Sequence, residues 1–175
     1  MKKEEIFTLS NTISFLRVLF AAPIYYYISI HETMIALLFI FLAVLTDTLD
    51  GYFARKWNQI TTLGKIIDPL ADKICTIAGF LALSLYQDLP FWVTIAIIVR
   101  DLMILFASAI IISSKKLVMA SNIPGKITVL VITFLGIVYL INIEILKMPL
   151  TLLAGISILY SFINYSIIFF KRISN

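Results

Sequence analysis

Hydrophobic side chains fill six long stretches of the chain, at about residues 12–30, 34–55, 63–86, 89–113, 125–143 and 148–170, with polar side chains gathered between them. Each stretch is close to the ~20 residues a helix needs to cross a bilayer. Period-2 alternation is absent, which excludes a membrane β-barrel, whose strands show alternate residues to lipid and lumen. The breaks carry turn residues or charge: His31-Glu32-Thr33, Trp57-Asn58-Gln59, Gln87-Asp88, Ser121-Asn122-Ile123-Pro124-Gly125 and Lys147-Met148-Pro149. No linker, low-complexity run or internal repeat interrupts the pattern. It predicts an all-α integral membrane protein with six transmembrane helices, a single domain over residues 1–175. Met1 to Leu9, which opens Lys2-Lys3-Glu4-Glu5, is too polar to begin a span and is expected to lie along the membrane surface as a short interfacial segment.

Composition agrees and narrows the field. Of 175 residues 61% are hydrophobic and only 14% charged, against about 25% charged in a soluble domain; the mean hydropathy is +1.03. The single cysteine, Cys75, has no partner to oxidise and sits in an apolar run, where it packs. The net charge of +4 does not mark a nucleic-acid binder, because most basic residues fall at membrane boundaries. With the chain ends numbered alternately, Lys2, Lys3, Arg55, Lys56, Lys65, Lys115, Lys116, Lys126, Lys171 and Arg172 collect on one side, and Lys147 stands on the other. The excess predicts that both termini face the cytoplasm. Tyr25, Tyr26, Tyr27, His31 and Trp92 fit an interfacial belt at the opposite surface.

Four acids break the apolar pattern of the second and third stretches: Asp47, Asp50, Asp68 and Asp72. An ionisable group within a membrane helix costs at least ~2.5–3.5 kcal/mol on insertion scales, so such groups mark function. Asp47 and Asp50 are spaced i, i+3, and Asp68 and Asp72 i, i+4, so each pair shares a helix face. Four carboxylates in one space need compensating charge. Two divalent cations would supply it, and ligation by oxygen alone suits Mg²⁺ or Mn²⁺ rather than zinc. The structural alternative pairs the acids with Arg17, Lys73 and Arg100 as internal salt bridges. Gly51 and Ala54 leave a side-chain-poor strip beside the acids, where a bulky ligand can approach the backbone. Arg55 offers a fork suited to phosphate. Together these features indicate a diphosphate substrate and metal-assisted phosphoryl transfer. At ~1.5 Å per residue, Asp47, Asp72 and Arg100 are expected about 12–14 Å from the inner boundary. A cation transporter would want acids or polar breaks continuing to the outer face, and those halves are apolar.

Written out, Asp47-Thr48-Leu49-Asp50-Gly51-Tyr52-Phe53-Ala54-Arg55 is followed after eight residues by Gly64, then by Asp68 and Asp72 at intervals of four. This resembles the full signature of the CDP-alcohol phosphotransferase family, D-x2-D-G-x2-A-R-x8-G-x3-D-x3-D, at every fixed position. The resemblance implies displacement of CMP from a CDP-linked alcohol, often CDP-diacylglycerol, by the hydroxyl of a second alcohol. It implies that Asp47 and Asp68 bridge two metal ions, that Asp50 binds the first and Asp72 the second, and that Asp72 is the general base. Gly51 and Ala54 would make room for the cytidine and Arg55 would hold the diphosphate, with Gly64 in the same CDP-binding set. Thr61 matches a position that helps bind the nucleotide in several members. Asn11-Thr12-Ile13-Ser14 with Arg17 is similar to the family's N-terminal element, which puts Asn11 by the diphosphate and Arg17 either on an acid or on substrate. A homodimer, in a bacterial cell membrane and with its active site open to the cytoplasm, is expected from the family.

The acceptor is to be read by the remaining cations: Arg100, Lys115, Lys116 and Lys126. Pro124-Gly125-Lys126 and Arg55-Lys56-Trp57-Asn58-Gln59 resemble elements of the phosphatidylglycerophosphate synthases, and a phosphate-bearing acceptor such as glycerol 3-phosphate suits the cationic surface. Those synthases usually carry Arg-Glu where this chain has Arg100-Asp101, and a further Arg where it has Ser108. An Arg-Asp pair is also found in CMP-forming cardiolipin synthases, whose acceptor is phosphatidylglycerol. That acceptor, inositol phosphate and other alcohols are the alternatives.

Overall fold

The structure is a computed structural model. It describes the backbone of residues 9–56, 64–115 and 123–174, and the side chains of residues 15–49, 70–106 and 123–168. These residues form six helices: α1 (Leu9–Ser29), α2 (Thr33–Lys56), α3 (Gly64–Tyr86), α4 (Phe91–Lys115), α5 (Ile123–Leu140) and α6 (Glu144–Ser174). No strand occurs among the described residues, and each helix overlaps one of the six apolar stretches. The expected surface segment before residue 9 and the Trp57–Gln59 connection lie outside the described residues.

One expected connection is corrected. Lys147-Met148-Pro149 is not a break but the opening of α6, which starts at Glu144. The turn falls instead at Ile141–Ile143, within the fifth apolar stretch. Charge and proline suggested a loop, yet each is accommodated. The Lys147 ammonium donates to Asn142 Oδ1 and to Glu144 Oε1 at 2.6 Å, and it stands 5.4 Å from the Tyr139 ring centre. Pro149 stands in the second turn of α6, where the helix continues at the loss of one ladder bond, to the Ile145 carbonyl. A second connection is corrected in part: Ile123-Pro124-Gly125 of the expected Ser121–Gly125 break opens α5, and Pro124 sits in its first turn, where its N–H would have no helical partner; Ser121 and Asn122 lie outside the described residues.

The helix hairpins close by a common device. His31, Asp88 and Asn142 follow α1, α3 and α5, and each has a positive φ near 60°. Behind α1, the N–H of His31 donates to Ile28 O and that of Glu32 to Tyr27 O; behind α5, Asn142 donates to Tyr139 O and Ile143 to Val138 O. Both are Schellman ends, which satisfy the last carbonyls of a helix.

The chain divides into two compact units, Met1–Gln87 and Asp88–Asn175. In the first, α1 packs against both α2 and α3. Its buried residues Arg17, Ala21, Ile24 and Ile28 recur at intervals of three and four, the spacing of a helix seam. α3 receives it on a strip of small residues, Ala71, Cys75, Gly79 and Ala82, and a Cβ added to Gly79 would stand 3.7 Å from Ile24 Cγ2. Close packing of small residues is the means by which helices associate in a membrane, where the hydrophobic drive is absent. In the second unit, α6 packs against α4 and α5 through Lys147, Thr151, Ala154, Ile158, Ser161 and Tyr165, all buried. A Cβ at Gly155 would stand 3.0 Å from Trp92 Cη2, so a larger residue there would require the indole to give by a few tenths of an ångström. The opposite faces carry exposed apolar side chains such as Phe15, Phe41, Leu130 and Ile156. Among the described residues, α5 and α6 are the helices long and apolar enough to cross a membrane.

Candidate active site

Antiparallel pairing of α1 and α2 decides where the first acid lies. Arg17 precedes the turn at His31 by 14 residues and Asp47 follows it by 16, so the two come level at roughly 21–24 Å from the turn. The buried positions Ala36 and Ala43 of α2 lead, at i+4, to Asp47, so its side chain emerges on the edge facing α1. Arg17 Nη1 and Asp47 Oδ1 form an ion pair at 2.7 Å. Arg17 is 1% exposed, whereas the Asp47 side chain is 59% exposed. The acid therefore holds a buried cation with one oxygen and still presents most of its carboxylate outward.

The same arginine sets the height of the second helix. Cys75 Sγ donates to the Arg17 carbonyl at 3.1 Å, which puts Cys75 level with Arg17. Asp72 is three residues earlier, about 4.5 Å along the α3 axis. Its side chain is 53% exposed and lies 3.6 Å from Lys73 Nζ. Asp47 and Asp72 are thus within about one helical turn of a common level, both referenced to Arg17. Asp50 and Asp68 occupy backbone positions a turn further along, after Asp47 in α2 and before Asp72 in α3. Gly51 lies in α2 and Gly64 opens α3; the side chains of Asn11, Asp50, Ala54, Arg55 and Asp68 lie outside the described residues, and so does all of Thr61.

Of the expected internal salt bridges, Arg17 and Lys73 do face acids of the cluster. Arg100, in the second unit, has an acid of its own there. It is 4% exposed, and its Nη1 donates to Asp101 Oδ1 at 2.7 Å. Nη2 donates to the Gly125 carbonyl and to Ser161 Oγ, each at 3.3 Å, and Nε also reaches Ser161 Oγ, at 3.4 Å. Ser161 was not among the expected residues. A hydroxyl at the three- and four-residue spacing of Ala154 and Ile158 is the signal that could have found it, because a polar group on a packed face needs a partner. Lys126 is exposed one residue after Gly125. The Lys115 side chain and the whole of Lys116 lie outside the described residues.

Comparison with known proteins decides the family. The model of the CDP-alcohol phosphatidyltransferases matches residues 7–164. The chain belongs to this family. It is similar to the CDP-diacylglycerol--glycerol-3-phosphate 3-phosphatidyltransferase of Aquifex aeolicus, with 32% identity over 93% of this chain and 96% of that protein. The protein of the same name from Bacillus subtilis is 40% identical over 53% of this chain and 47% of its own length. The CMP-forming cardiolipin synthase of Streptomyces coelicolor is 40% identical over 40% of this chain and 33% of its own. Membership makes the chain a membrane enzyme of phospholipid synthesis, a CDP-alcohol phosphatidyltransferase, and sets aside the transporter alternative. The chemistry of the family is in general metal-dependent.

The donors present suit such an ion. Asp47 and Asp72, on two helices and near one height, are carboxylates more than half exposed, and oxygen donors of this kind suit a hard divalent cation.

Proposed function

We propose that the chain transfers the phosphatidyl group of CDP-diacylglycerol to glycerol 3-phosphate and releases CMP. The observation that carries the acceptor is the likeness to a glycerol-3-phosphate enzyme along nearly the whole of both chains. Asp47, Asp50, Asp68 and Asp72 hold two divalent cations, Mg²⁺ or Mn²⁺; bound there, the ions would neutralise the diphosphate and the departing CMP. The support is the shared reference of Asp47 and Asp72 to Arg17, with the other two acids one turn along the same helices.

The acceptor hydroxyl attacks the β-phosphorus of the CDP group. A new P–O bond forms, the bond from that phosphorus to the oxygen bridging the α-phosphate breaks, and CMP leaves with the bridging oxygen. Asp72 takes the hydroxyl proton; its half-exposed carboxylate can reach and exchange it. Gly51 and Ala54 leave space for the cytidine, Arg55 and Asn11 hold the diphosphate, and Thr61 and Gly64 complete that side. Lys126, with Lys115 and Lys116, binds the acceptor phosphate. The distribution of Lys and Arg puts this end of the helices, and both termini, at the cytoplasmic surface.

A second reading, with phosphatidylglycerol as acceptor, is favoured by the likeness to the Streptomyces cardiolipin synthase and by the Arg100-Asp101 pair. An acceptor screen separates them. Purified protein is given labelled CDP-diacylglycerol, Mg²⁺ or Mn²⁺, and in turn glycerol 3-phosphate, phosphatidylglycerol, inositol phosphate, inositol or serine. CMP and phosphatidylglycerophosphate with the first supports the proposal; cardiolipin with the second overturns it.

A further inference from the structure

Among the described residues of the second unit Arg100 is the most deeply buried cation, and its guanidinium is engaged within the protein. A charge inside a membrane helix is costly enough to require a function or full pairing. Here all three guanidinium nitrogens already donate within the protein, to one partner on each of three helices: Asp101 on α4, the Gly125 carbonyl on α5 and Ser161 on α6. Ser161 is 0% exposed, Asp101 6% and Arg100 4%. At 4% exposure, with four of its five N–H groups so engaged, this guanidinium offers little to a phosphate from outside.

What the cluster grips is the first turn of α5. Gly125 is buried and its carbonyl takes the Arg100 bond, while one turn on Thr128 Oγ1 donates to the Pro124 carbonyl at 2.9 Å and to the Ser157 carbonyl of α6 at 3.0 Å. Lys126 is the next residue after Gly125 and is exposed. Holding the Gly125 peptide therefore holds the origin of the Lys126 side chain, at the end of the helix whose dipole favours an anion.

We infer that Arg100 and Ser161 are positioning residues for the acceptor: through the Gly125 carbonyl they fix the start of α5, so that Lys126 meets the acceptor phosphate in one orientation. Ser161 orients the guanidinium by accepting from two of its nitrogens, and Asp101 neutralises it. Only a planar fork can reach all three partners at once; a lysine ammonium could not. This inference rests on the reading of a phosphate-bearing acceptor bound by Lys126.

The test is steady-state kinetics on the purified full chain with CDP-diacylglycerol and glycerol 3-phosphate, for the unaltered protein, Ser161→Ala, Ser161→Thr, Lys126→Gln and the Ala–Gln double variant. Ser161→Ala is expected to raise the KM for glycerol 3-phosphate about tenfold with kcat and the KM for CDP-diacylglycerol within about twofold. Ser161→Thr, which keeps the oxygen, is expected to recover most of the loss. In the Lys126→Gln background Ser161→Ala should add less than about twofold, because the two act through one contact. An unchanged acceptor KM, equal losses for both substrates, or additive effects of the two substitutions would each overturn the inference. Arg100→Lys carries the same expectation, and the same overturning results, if Ser161→Ala does not yield folded protein. Failure of the unaltered protein to use glycerol 3-phosphate would defeat the acceptor assignment itself, and the inference with it; normal use, with unaltered kinetics in Ser161→Ala, defeats the inference alone.

Discussion

Asp47 pairs with Arg17 and, in the proposed scheme, also holds metal; the two roles separate experimentally. Replacing it by Asn keeps the shape and leaves an oxygen to accept from Arg17, but removes the charge. At 2.7 Å the Coulomb attraction is about 1.5 kcal/mol at the dielectric of water and about 6 kcal/mol at an effective value near 20. Asp47 is more than half exposed, which pulls the net figure toward the lower end. Arg17 is fully buried, which raises the cost of weakening its pairing. A loss of about 1–3 kcal/mol follows, or roughly 2–12 °C in melting temperature for a chain of this size. Arg17→Met breaks the same pair from the other side and leaves the exposed acid to hydrate, so its stability loss should be similar or smaller. Activity should not follow stability. Asp47→Asn is expected to lower CMP release at saturating Mg²⁺ by more than about 10³-fold, a ligand effect. Arg17→Met should lose about 10–100-fold, as an orienting partner of a ligand does, with much of the loss recovered at higher Mg²⁺. The assay is CMP release across a Mg²⁺ titration, with a melting curve for each variant. Equal activity losses in the two variants, or full activity of Asp47→Asn, would refute a ligand role and leave the acid as a salt-bridge partner.

Asp72→Asn should reduce turnover by at least about 10²-fold, the scale of a lost general base, while labelled CDP-diacylglycerol still binds; retained turnover removes Asp72 as the base. Chelation with EDTA should abolish activity and added Mg²⁺ or Mn²⁺ restore it, and normal rates in EDTA would defeat the metal scheme. Lys147→Met removes the ammonium that ties Asn142 to Glu144; because Glu144 is largely exposed, the loss is about 1–2 kcal/mol, read as a lower melting temperature. The acceptor KM should not move, since Ser161 lies 14 residues and about 21 Å further along α6. Asp88→Gly relieves the positive φ after α3 and should raise the melting point slightly, by about 0.5 kcal/mol; a fall would show that the Asp88 side chain makes a bond that matters there.

Helices and candidate chemistry were readable from the chain because both are local. Runs of about 20 apolar residues have one way to satisfy their backbone in lipid, so all six helices could be placed. The interval between Asp47 and Asp50, or between Asp68 and Asp72, is converted to a shared face by helical periodicity alone. The signature then supplied the family, and the full-length likeness bears it out. The end of α5 was missed because the rule that polar and proline residues mark breaks fails when a lysine is neutralised by its own turn. Asn142 in a left-handed conformation, amid apolar neighbours, was the weaker but correct signal.

Partnership was the part that sequence left open. Arg17 could have met an acid or a substrate; the helix seam of α1 buries it and the α1–α2 hairpin brings Asp47 level with it. Arg100 was expected to read the acceptor; that it also bonds Ser161, 61 residues away, could not be read from the chain. Chain spacing determines which residues share a helix face, since 3.6 residues make a turn whatever surrounds them. It does not determine which faces meet, because that depends on packing between segments far apart in the chain, and there the tertiary structure decided.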